Sequence, residues 1–426
     1  MDLKRQTELA KKGAFRIASI TSDAKNRALV RIASALSENR VEIIAENKKD
    51  LEVAEKVGLS GAIVKRLKVD DRKIDEMVEG VKSVIGLDDP VGRTLMITEL
   101  DDSLELQKIT TPIGVIGVIF ESRPDALVQI STLCIKSGNA VILKGGSEAI
   151  NSNKILFDLI KTAVETDDRF KDTVQLVETR QDVTDLLKLD ESIDLMIPRG
   201  SNALVRYIKG NTKIPVLGHA DGVCHLYIDR DADIDMALSV SFDSKCQYAA
   251  VCNAMETLLV HRSIAGEFLP KMKGLFDEEN VELSGDSEVC EIIKAGEATE
   301  DDWTTEYNDM TLSIKVVGSL EEAINHINRY GSHHTDAIVT RNETASKIFM
   351  DGVDSSSVMW NCSTRFADGY RYGLGSEVGI STSKIHSRGP VGLEGLVIYK
   401  YKVIGAGHIV ADYSEGRSTF THKRVK

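Results

Sequence analysis

The sequence lacks several features that would assign it to a specialised class of protein. No apolar run in its 426 residues reaches the roughly 20 residues that span a bilayer, and the longest candidate, PIGVIGVIF at 112–120, is the length of a strand. With seven prolines and moderate glycine content, a long disordered linker is not expected. The first residues, MDLKRQTELAKK, lack the apolar segment of a secretory signal. We therefore expect a cytoplasmic protein without membrane segments.

The sequence also lacks an excess of positive charge. Its cysteines do not have the spacing of a disulfide framework. The formal net charge of −13 argues against a nucleic-acid partner. Six cysteines, with no CxxC pair among them, are typical of reduced thiols in the cytosol. Cys246 and Cys252 have no histidine pair near them in sequence, which predicts no metal site. The length predicts two or three folded lobes.

Hydrophobic periodicity changes along the chain. Residues 5–90 have helical spacing, and two alternating runs at 92–111 flank Asp101-Asp102-Ser103, which predicts a hairpin. Apolar strands then alternate with amphipathic helices in two regions, and this alternation predicts βαβ units with parallel sheets. The predicted strands are 113–120, 140–145, 173–178, 195–200 and 215–219 in the first region and 256–261, 313–319 and 335–340 in the second.

Two strand-to-helix corners are candidates for nucleotide binding, although the G-x-G-x-x-G fingerprint is missing. One corner is Lys144-Gly145-Gly146-Ser147, and the other is Arg199-Gly200-Ser201. Glycines permit close backbone approach, and helix N-termini bind anions. Each corner taken alone is also compatible with an ordinary turn that uses glycine as a hinge.

Cys252 is the most informative cysteine because its neighbours are small or polar. It follows Tyr248-Ala249-Ala250-Val251 and precedes an apolar run, whereas Cys134 and Cys224 lie inside apolar runs. A free cysteine is either a small buried hydrophobe or a nucleophile, and the residues alone leave both readings of Cys252 open. The pair His333-His334 and the loop 361–373 are polar segments that either bind a ligand or contact solvent.

Several segments resemble the acyl-phosphate-reducing branch of the aldehyde dehydrogenase superfamily, in family order over nearly the whole chain. They are VIFESRPD (118–125), SGNAVILKGGSEA (137–149), IPRGSNALV (197–205), IPVLGHADGVCHLYID (214–229), CNAMETLLVH (252–261), EEAINHINRYGSHHTDAIVT (321–340) and NCSTRFADGYRYGLGSEVGISTSKIHSRGPVGLEGL (361–396). The resemblance implies an α/β, aldehyde dehydrogenase-like fold with two open, parallel-rich lobes and a small β oligomerisation element. It implies a cofactor-binding domain at 1–91 and 113–240, a catalytic domain at 241–404, and an oligomerisation element at 92–112 and 405–426.

The same resemblance implies roles for individual residues. Cys252 matches the nucleophile, with a backbone N–H of Cys252 or Asn253 as oxyanion donor, because Glu121-Ser122-Arg123-Pro124 departs from the motif that supplies an Asn elsewhere. The implied cofactor residues are Lys144, Gly145, Gly146, Ser147, Arg199, Gly200, Ser201 and Glu306. The candidate substrate-binding residues are Ser122, Arg123, His334, Asn361, Ser363, Thr364 and Arg365.

The activity that the resemblance implies is the NADPH-dependent reduction of L-glutamyl 5-phosphate to L-glutamate 5-semialdehyde and phosphate through a cysteine thioester, in proline biosynthesis. Hydrolytic members of the superfamily carry a Glu where this chain reads VLGHADG, and no carboxylate stands at Leu217 or Gly218. The alternatives are an aldehyde-oxidising NAD(P) dehydrogenase and a non-catalytic binding protein. The implied partners are further copies of this chain and the upstream glutamate kinase.

Overall fold

The computed structural model describes residues 3–177, 180–219 and 221–426, and its chain forms two compact units. The first unit comprises residues up to Leu217 together with Leu374–Gly379 and Val391–Lys426. The second comprises Gly218–Gly373 and Ile380–Pro390. The helices are α1 (Leu3–Ile17), α2 (Ser22–Glu38), α3 (Arg40–Lys56), α4 (Gly61–Leu67), α5 (Asp71–Gly86), α6 (Pro124–Lys136), α7 (Ile150–Val164), α8 (Arg180–Leu186), α9 (Asn202–Gly210), α10 (Ile234–Cys246), α11 (Arg262–Glu278), α12 (Ser287–Ile292), α13 (Leu320–Tyr330), α14 (Glu343–Gly352) and α15 (Val410–Ser414).

The strands build three larger sheets and one short ribbon. They are β1 (Thr94–Asp101), β2 (Leu104–Pro112), β3 (Val115–Phe120), β4 (Ala140–Lys144), β5 (Val174–Leu176), β6 (Leu195–Arg199), β7 (Cys224–Ile228), β8 (Met255–His261), β9 (Glu282–Gly285), β10 (Gly296–Glu297), β11 (Thr311–Val317), β12 (Thr335–Val339), β13 (Ser357–Trp360), β14 (Ile380–Ser381), β15 (Gly389–Pro390), β16 (Val397–Ile404) and β17 (Lys423–Arg424).

The first unit contains a parallel sheet in the order β5-β4-β3-β6, which is buried on both faces. Side chains of β3 alternate between two cores: Ile116 and Val118 pack with α2, α6 and α7, whereas Val115 and Ile119 pack with α1. Alternation along a strand sends successive side chains to opposite faces, so a strand covered by helices on both sides must be apolar throughout. The uninterrupted apolar run of β3 satisfies that requirement.

The first unit also contains an antiparallel sheet in the order β16-β2-β1-β17. The predicted hairpin is present as β1 and β2, and Ser103 adopts a left-handed φ of 57° in its turn. The tail reaches this sheet through β17, while β2 pairs along its length with Val397–Ile404. The predicted catalytic domain included this last segment, and the structure places it with the first unit instead.

The second unit is built on a seven-stranded parallel sheet in the order β10-β9-β11-β8-β7-β12-β13. Leu226 and Leu258 point into the core that α10 and α11 cover, and Tyr227 and Leu259 point into the opposite core. Among the helices that the structure describes, none combines the length and apolar character that a membrane crossing requires.

The predicted and observed strands differ at two places in the middle of the chain. The predicted strand at 215–219 is reduced to a single bridge between Met196 and Val216. The buried strand β7 was not predicted, because the short run CHLYI contains a histidine and follows a glycine-rich segment. Since β7 pairs with β8 and β12, the second unit begins at Gly218 rather than at the predicted boundary of 240/241. The cofactor-binding, catalytic and oligomerisation roles of these regions stay predictions.

Candidate active site

Three adjacent strands bring distant residues to one edge of the second unit's sheet. Strands β8, β7 and β12 are neighbours and run parallel, so their amino ends share an edge. Cys252 lies in the turn just before β8, His219 lies a few residues before β7, and His334 immediately precedes β12. The sheet order therefore gathers a thiol and two imidazoles that are far apart in sequence.

These three side chains form a close cluster. One nitrogen from each imidazole and the sulfur of Cys252 all lie within 4.8 Å of one another. The rings of His219 and His334 meet edge to face, with their centroids 4.8 Å apart. A thiol beside imidazoles is the arrangement that enzymes use to generate a thiolate nucleophile.

Hydrogen bonds orient both rings. His219 donates from Nδ1 to the carbonyl of Ile380 at 3.0 Å. His334 is fully buried, and its Nδ1 lies 2.9 Å from the hydroxyl of Thr335. Its Nε2 is buried and has no hydrogen-bond partner among the residues that the structure describes. A buried polar atom without a partner is costly in a folded protein and points to a functional requirement.

Cys224 and Gly222 hold the turn that carries Cys252. The Cys224 thiol donates to the Cys252 carbonyl at 3.1 Å, and burial raises the pKa of Cys224 well above its ordinary value, so it stays a neutral donor. A Cβ on Gly222 would lie 2.6 Å from the Cα of Cys252 and 2.7 Å from its Cβ. Position 222 must therefore lack a side chain if the turn is to keep its place.

We expect Gly222→Ala to lower kcat by about 10–100-fold, because an ångström-scale displacement of a reacting group has effects of that size. The far-ultraviolet circular dichroism should not change, since the clash is confined to one turn. Gly274→Ala is the matched control: it lies on α11 with nothing within 4 Å of the added carbon. Activity of Gly222→Ala equal to that of the control would show that the turn tolerates the displacement.

The segment after β13 supplies the positive charge of the site. Arg365 is buried, and its Nε donates to Gln247 at 3.0 Å. Burial lowers the pKa of the Arg365 guanidinium, and the negative charge of a Cys252 thiolate acts in the opposite direction. Arg365 thus places a buried positive charge in the same unit as Cys252.

The neighbours of Arg365 have mainly structural contacts. Ser363 lies 3.2 Å from the Ser244 hydroxyl and accepts from the backbone of Arg365, also at 3.2 Å. Thr364 is buried, and its hydroxyl has no partner among the described residues. Asn253 donates from its side chain to the carbonyl of Ala367 at 2.8 Å, which leaves backbone groups as the proposed oxyanion donors.

Asn361 lies away from this cluster. Its side chain accepts from the Thr340 amide at 2.9 Å and donates to the Thr340 carbonyl at 3.0 Å. Thr340 follows the carboxyl end of β12, whereas His334 precedes its amino end, and five strand residues separate the two ends by about 17 Å. The structure therefore does not bring Asn361 to Cys252, and its double hydrogen bond explains its position instead.

A buried ion pair lies beside the turn of Cys252. Lys245, at the end of α10, and Glu256, near the start of β8, approach to 2.6 Å with both side chains fully buried. Burial raises the pKa of Glu256 to about 7, an effect that Lys245 opposes and Glu306 reinforces. Glu306, the predicted ribose ligand, thus lies in the second unit near this pair.

In the first unit, the predicted nucleotide corners follow the carboxyl ends of β4 and β6, the two strands that flank β3 in the parallel sheet. Lys144 ends β4 as a buried residue and donates to the carbonyl of Gly145. Ser147 opens a 3-10 turn before α7 rather than the helix itself. Glu148 accepts from the backbone of Ser122 at 2.6 Å and from its hydroxyl at 2.8 Å. This edge, beside the point where the strand order reverses, is where open α/β sheets bind nucleotides.

The second corner contacts the same turn. The backbone of Ser201, before α9, donates to the Glu121 carboxylate at 2.7 Å, and Arg199 donates to Gln129 at 3.2 Å. A carboxylate at this place shows that the start of α9 accepts an anion. A Cβ on Gly200 would collide with the Glu121 carboxylate.

The two remaining candidates lie on the turn between β3 and α6. Ser122 has a left-handed φ of 47° that its contacts with Glu148 maintain. Arg123 has a half-exposed side chain that pairs with Asp125 at 3.3 Å. Arg123 also lines a cavity of about 160 Å³ formed by residues of α5 and α6. Arg123, a residue of the first unit, is therefore accessible to an anionic ligand.

Sequence reasoning missed several residues of the site. His219 belongs to the segment GHADG and was predicted only as an alternative to the base of hydrolytic relatives, and Gly222 of the same segment was not predicted as a site residue. Cys224 resembled an ordinary core residue, and its thiol in fact contacts the carbonyl of Cys252. The glycine after Asp221 was the one available signal, since glycine often marks close backbone approach.

One α/β unit thus places a cysteine beside two imidazoles. The other places glycine-bearing corners at the carboxyl edge of a parallel sheet, where nucleotides bind in open α/β folds. The chain belongs to the aldehyde dehydrogenase family, whose sequence profile matches residues 1–290. Members of this family use nicotinamide cofactors. A curated protein of Pelotomaculum thermopropionicum named gamma-glutamyl phosphate reductase is 58% identical over 100% of this chain and 98% of its own length.

Solved structures agree with that placement. The crystal structure of gamma-glutamyl phosphate reductase from Thermotoga maritima superposes with a TM-score of 0.94 at 39% identity, over 96% of this chain and 100% of its own. An engineered glycolyl-CoA reductase with bound NADP+ superposes with a TM-score of 0.66 at 13% identity, over 94% of this chain and 96% of its own, and supports the fold alone. These likenesses confirm the predicted fold class.

Proposed function

We propose that this protein catalyses the NADPH-dependent reduction of L-glutamyl 5-phosphate to L-glutamate 5-semialdehyde and phosphate, a step of proline biosynthesis. The observation that carries the proposal is the cluster of Cys252 with His219 and His334, in a chain 58% identical to a gamma-glutamyl phosphate reductase. Within the described residues this cluster contains no carboxylate. It therefore offers a nucleophile without the glutamate that hydrolytic relatives use.

The residues of the first unit fit a nicotinamide cofactor. A Cβ on Gly145 would collide with the Asn153 side chain, and one on Gly146 would collide with Glu148, so this close-packed turn requires glycine at both positions. Lys144 would hold the adenosine ribose, and the start of α9 after Ser201 would face the pyrophosphate. In the second unit, Glu306 would hold the nicotinamide ribose. When bound, this cofactor supplies the hydride.

The chain's own residues perform the remaining steps. An imidazole of the cluster takes up the thiol proton, and the Cys252 thiolate attacks the acyl carbon of the substrate. The Arg365 guanidinium and the backbone N–H of Cys252 or Asn253 stabilise the negative charge that develops on the carbonyl oxygen. Phosphate departs and leaves a thioester on Cys252. After reduction, the thiohemiacetal collapses to the semialdehyde, and the thiolate is restored.

The proposal is tested by the reverse reaction. Because the cluster has no carboxylate to activate water, oxidation of glutamate semialdehyde should need phosphate as the acyl acceptor. We expect NADPH formation from semialdehyde and NADP to be at least about 100-fold faster with phosphate, since a general base contributes about 10²–10⁴-fold. Rapid formation of free glutamate without phosphate would instead identify an aldehyde-oxidising dehydrogenase with His219 or Asp221 as its base.

Cofactor preference should follow from Lys144. We expect kcat/KM to favour NADPH over NADH, because a charge-assisted hydrogen bond to the ribose phosphate contributes about 1.5–3 kcal/mol. Lys144→Met should lower kcat/KM for NADPH at least about tenfold, while Lys154→Met, an exposed residue of the same unit, should not. Equal efficiency with both cofactors in the wild type would contradict this assignment.

Assembly and location complete the proposal. We infer a cytoplasmic homo-oligomer that also associates with the upstream glutamate kinase. The outer strand β16 exposes Tyr399, Tyr401 and Val403, which supports a contact with another copy. The six free cysteines support a reducing compartment. The proposed substrate contacts are Ser122 and Arg123 in the first unit, and His334, Ser363, Thr364 and Arg365 in the second.

A further inference from the structure

We propose that His219, Cys252 and His334 form a reversible Zn²⁺ site that silences the nucleophile. Cysteine and histidine are the ligands that Zn²⁺ prefers, and sites with three protein ligands leave one position for water. The sequence predicted no metal site, because Cys252 has no histidine near it along the chain. The fold changes that expectation, because it brings two imidazoles next to Cys252. They belong to the segments before β7 and β12.

The spacing of the ligand atoms is close to that of a tetrahedral site. Zn–S and Zn–N bonds of about 2.3 and 2.0–2.1 Å place tetrahedral ligand atoms about 3.4–3.6 Å apart. The three atoms here lie within 4.8 Å of one another, so each pair needs to close by at most about 1.4 Å. Cys252 is in a turn rather than in a strand, and such a shift is within the reach of side-chain rotation.

The orientation of the rings fits metal ligation independently of the spacing. A metal-bound histidine usually donates its other ring N–H to a carbonyl or carboxylate, which fixes the ring. His219 does this through Nδ1 to Ile380. His334 has its Nδ1 beside Thr335, and its buried Nε2 lacks a partner among the described residues. A bound cation would supply that missing partner.

Binding of Zn²⁺ releases one proton from Cys252 and should stop turnover. The Cys252 thiol loses its proton to solvent and ligates as a thiolate, while each neutral imidazole contributes a lone pair. No oxidation takes place, and a chelator reverses the reaction. A bound ion occupies the sulfur lone pair that would attack the substrate, so it should stop turnover. This consequence rests on the proposed function. The binding itself does not depend on that function.

Metal binding should be measured directly on the full-length, tag-free protein. We expect equilibrium dialysis to give one Zn²⁺ per chain, and Co²⁺ to give a thiolate-to-metal charge-transfer band. Cys252→Ala, His219→Ala and His334→Ala should each weaken binding by more than the about 10–100-fold that loss of an outer-shell partner causes. Cys246→Ala and His261→Ala, a thiol and an imidazole outside the cluster, should bind as the wild type does.

NADPH binding and alkylation of Cys252 are measured alongside Zn²⁺ binding. NADPH binding reports whether each variant is folded, and Zn²⁺ should slow alkylation of Cys252 in the wild type until chelator is added. A Co²⁺ complex without the thiolate band, or wild-type affinity in Cys252→Ala, would overturn the site. If Zn²⁺ binds at Cys252 but Cys252→Ala still turns over, the proposed function fails while the site stands.

Discussion

Cys252→Ala is expected to lose turnover by at least about 10⁴-fold, while NADPH still binds with wild-type affinity. The proposed thioester route splits the reduction into acyl transfer to sulfur and hydride transfer, and alanine removes the sulfur that would carry the acyl group. Removing a nucleophile from a site that acts as a unit has effects of this size or larger. Because the predicted cofactor corners around Lys144 and Ser201 belong to the first unit, the change should not reach them.

The measurement combines steady-state rates with fluorescence titration of NADPH. Cys246→Ala is the matched control, since it removes a half-buried thiol six residues away that lies outside the cluster with His219 and His334. It should retain most of the activity. Substantial turnover by Cys252→Ala would disprove covalent catalysis and would favour direct hydride transfer to the acyl phosphate.

The fold class could be predicted because its main signals are local. Strands such as β3 and β4 are uninterrupted apolar runs, and the helices between them have a regular apolar stripe. The hairpin of β1 and β2 followed from alternation around Asp101-Asp102-Ser103. The strand β7 could not be recognised in this way, because its buried His225 interrupts the apolar pattern and gains its partner, Asp336, only from β12.

The candidate site was predictable only in part, for a physical reason. The small neighbours of Cys252 are a local signal, and they mark a turn with room around the thiol. The approach of His219 and His334 depends on which strands are neighbours in the sheet, and no local pattern encodes that order. Asn361 was predicted to bind substrate, but its polar side chain instead accepts a hydrogen bond from the backbone of Thr340.

The buried charged residues Lys245 and Glu256 were not predicted either. Lysine and glutamate are almost never fully buried unless they are paired, so sequence reasoning assigns them to the surface. Lys245 and Glu256 are fully buried together, and the amide of Asn308 donates to the same carboxylate at 3.1 Å. The pair ties the end of α10 to the start of β8, the two elements on either side of the turn of Cys252.

Lys245→Met should therefore destabilise the protein by about 3–5 kcal/mol, because it leaves an uncompensated buried carboxylate. The double variant Lys245→Met/Glu256→Met should recover most of that loss, since an apolar pair of similar volume replaces the ions at little cost. Urea unfolding at a fixed protein concentration measures both. Lys271→Met is the matched control, because it breaks an exposed pair with Glu267 that contributes no more than about 0.5 kcal/mol.

The loss in Lys245→Met should also depend on pH, with a sign that the raised pKa of Glu256 determines. Burial lifts this pKa from its ordinary value of 4.5 to about 7 even beside Lys245, and removing the lysine lifts it further. A carboxyl whose folded pKa exceeds its unfolded pKa favours folding below the unfolded value and loses that contribution as pH rises through the folded value. The variant should thus approach wild-type stability near pH 4.5 and fall furthest behind above pH 7. A destabilisation that is constant between these limits would mean that the lysine acts through its packing, and that Glu256 finds another cation when Lys245 is gone.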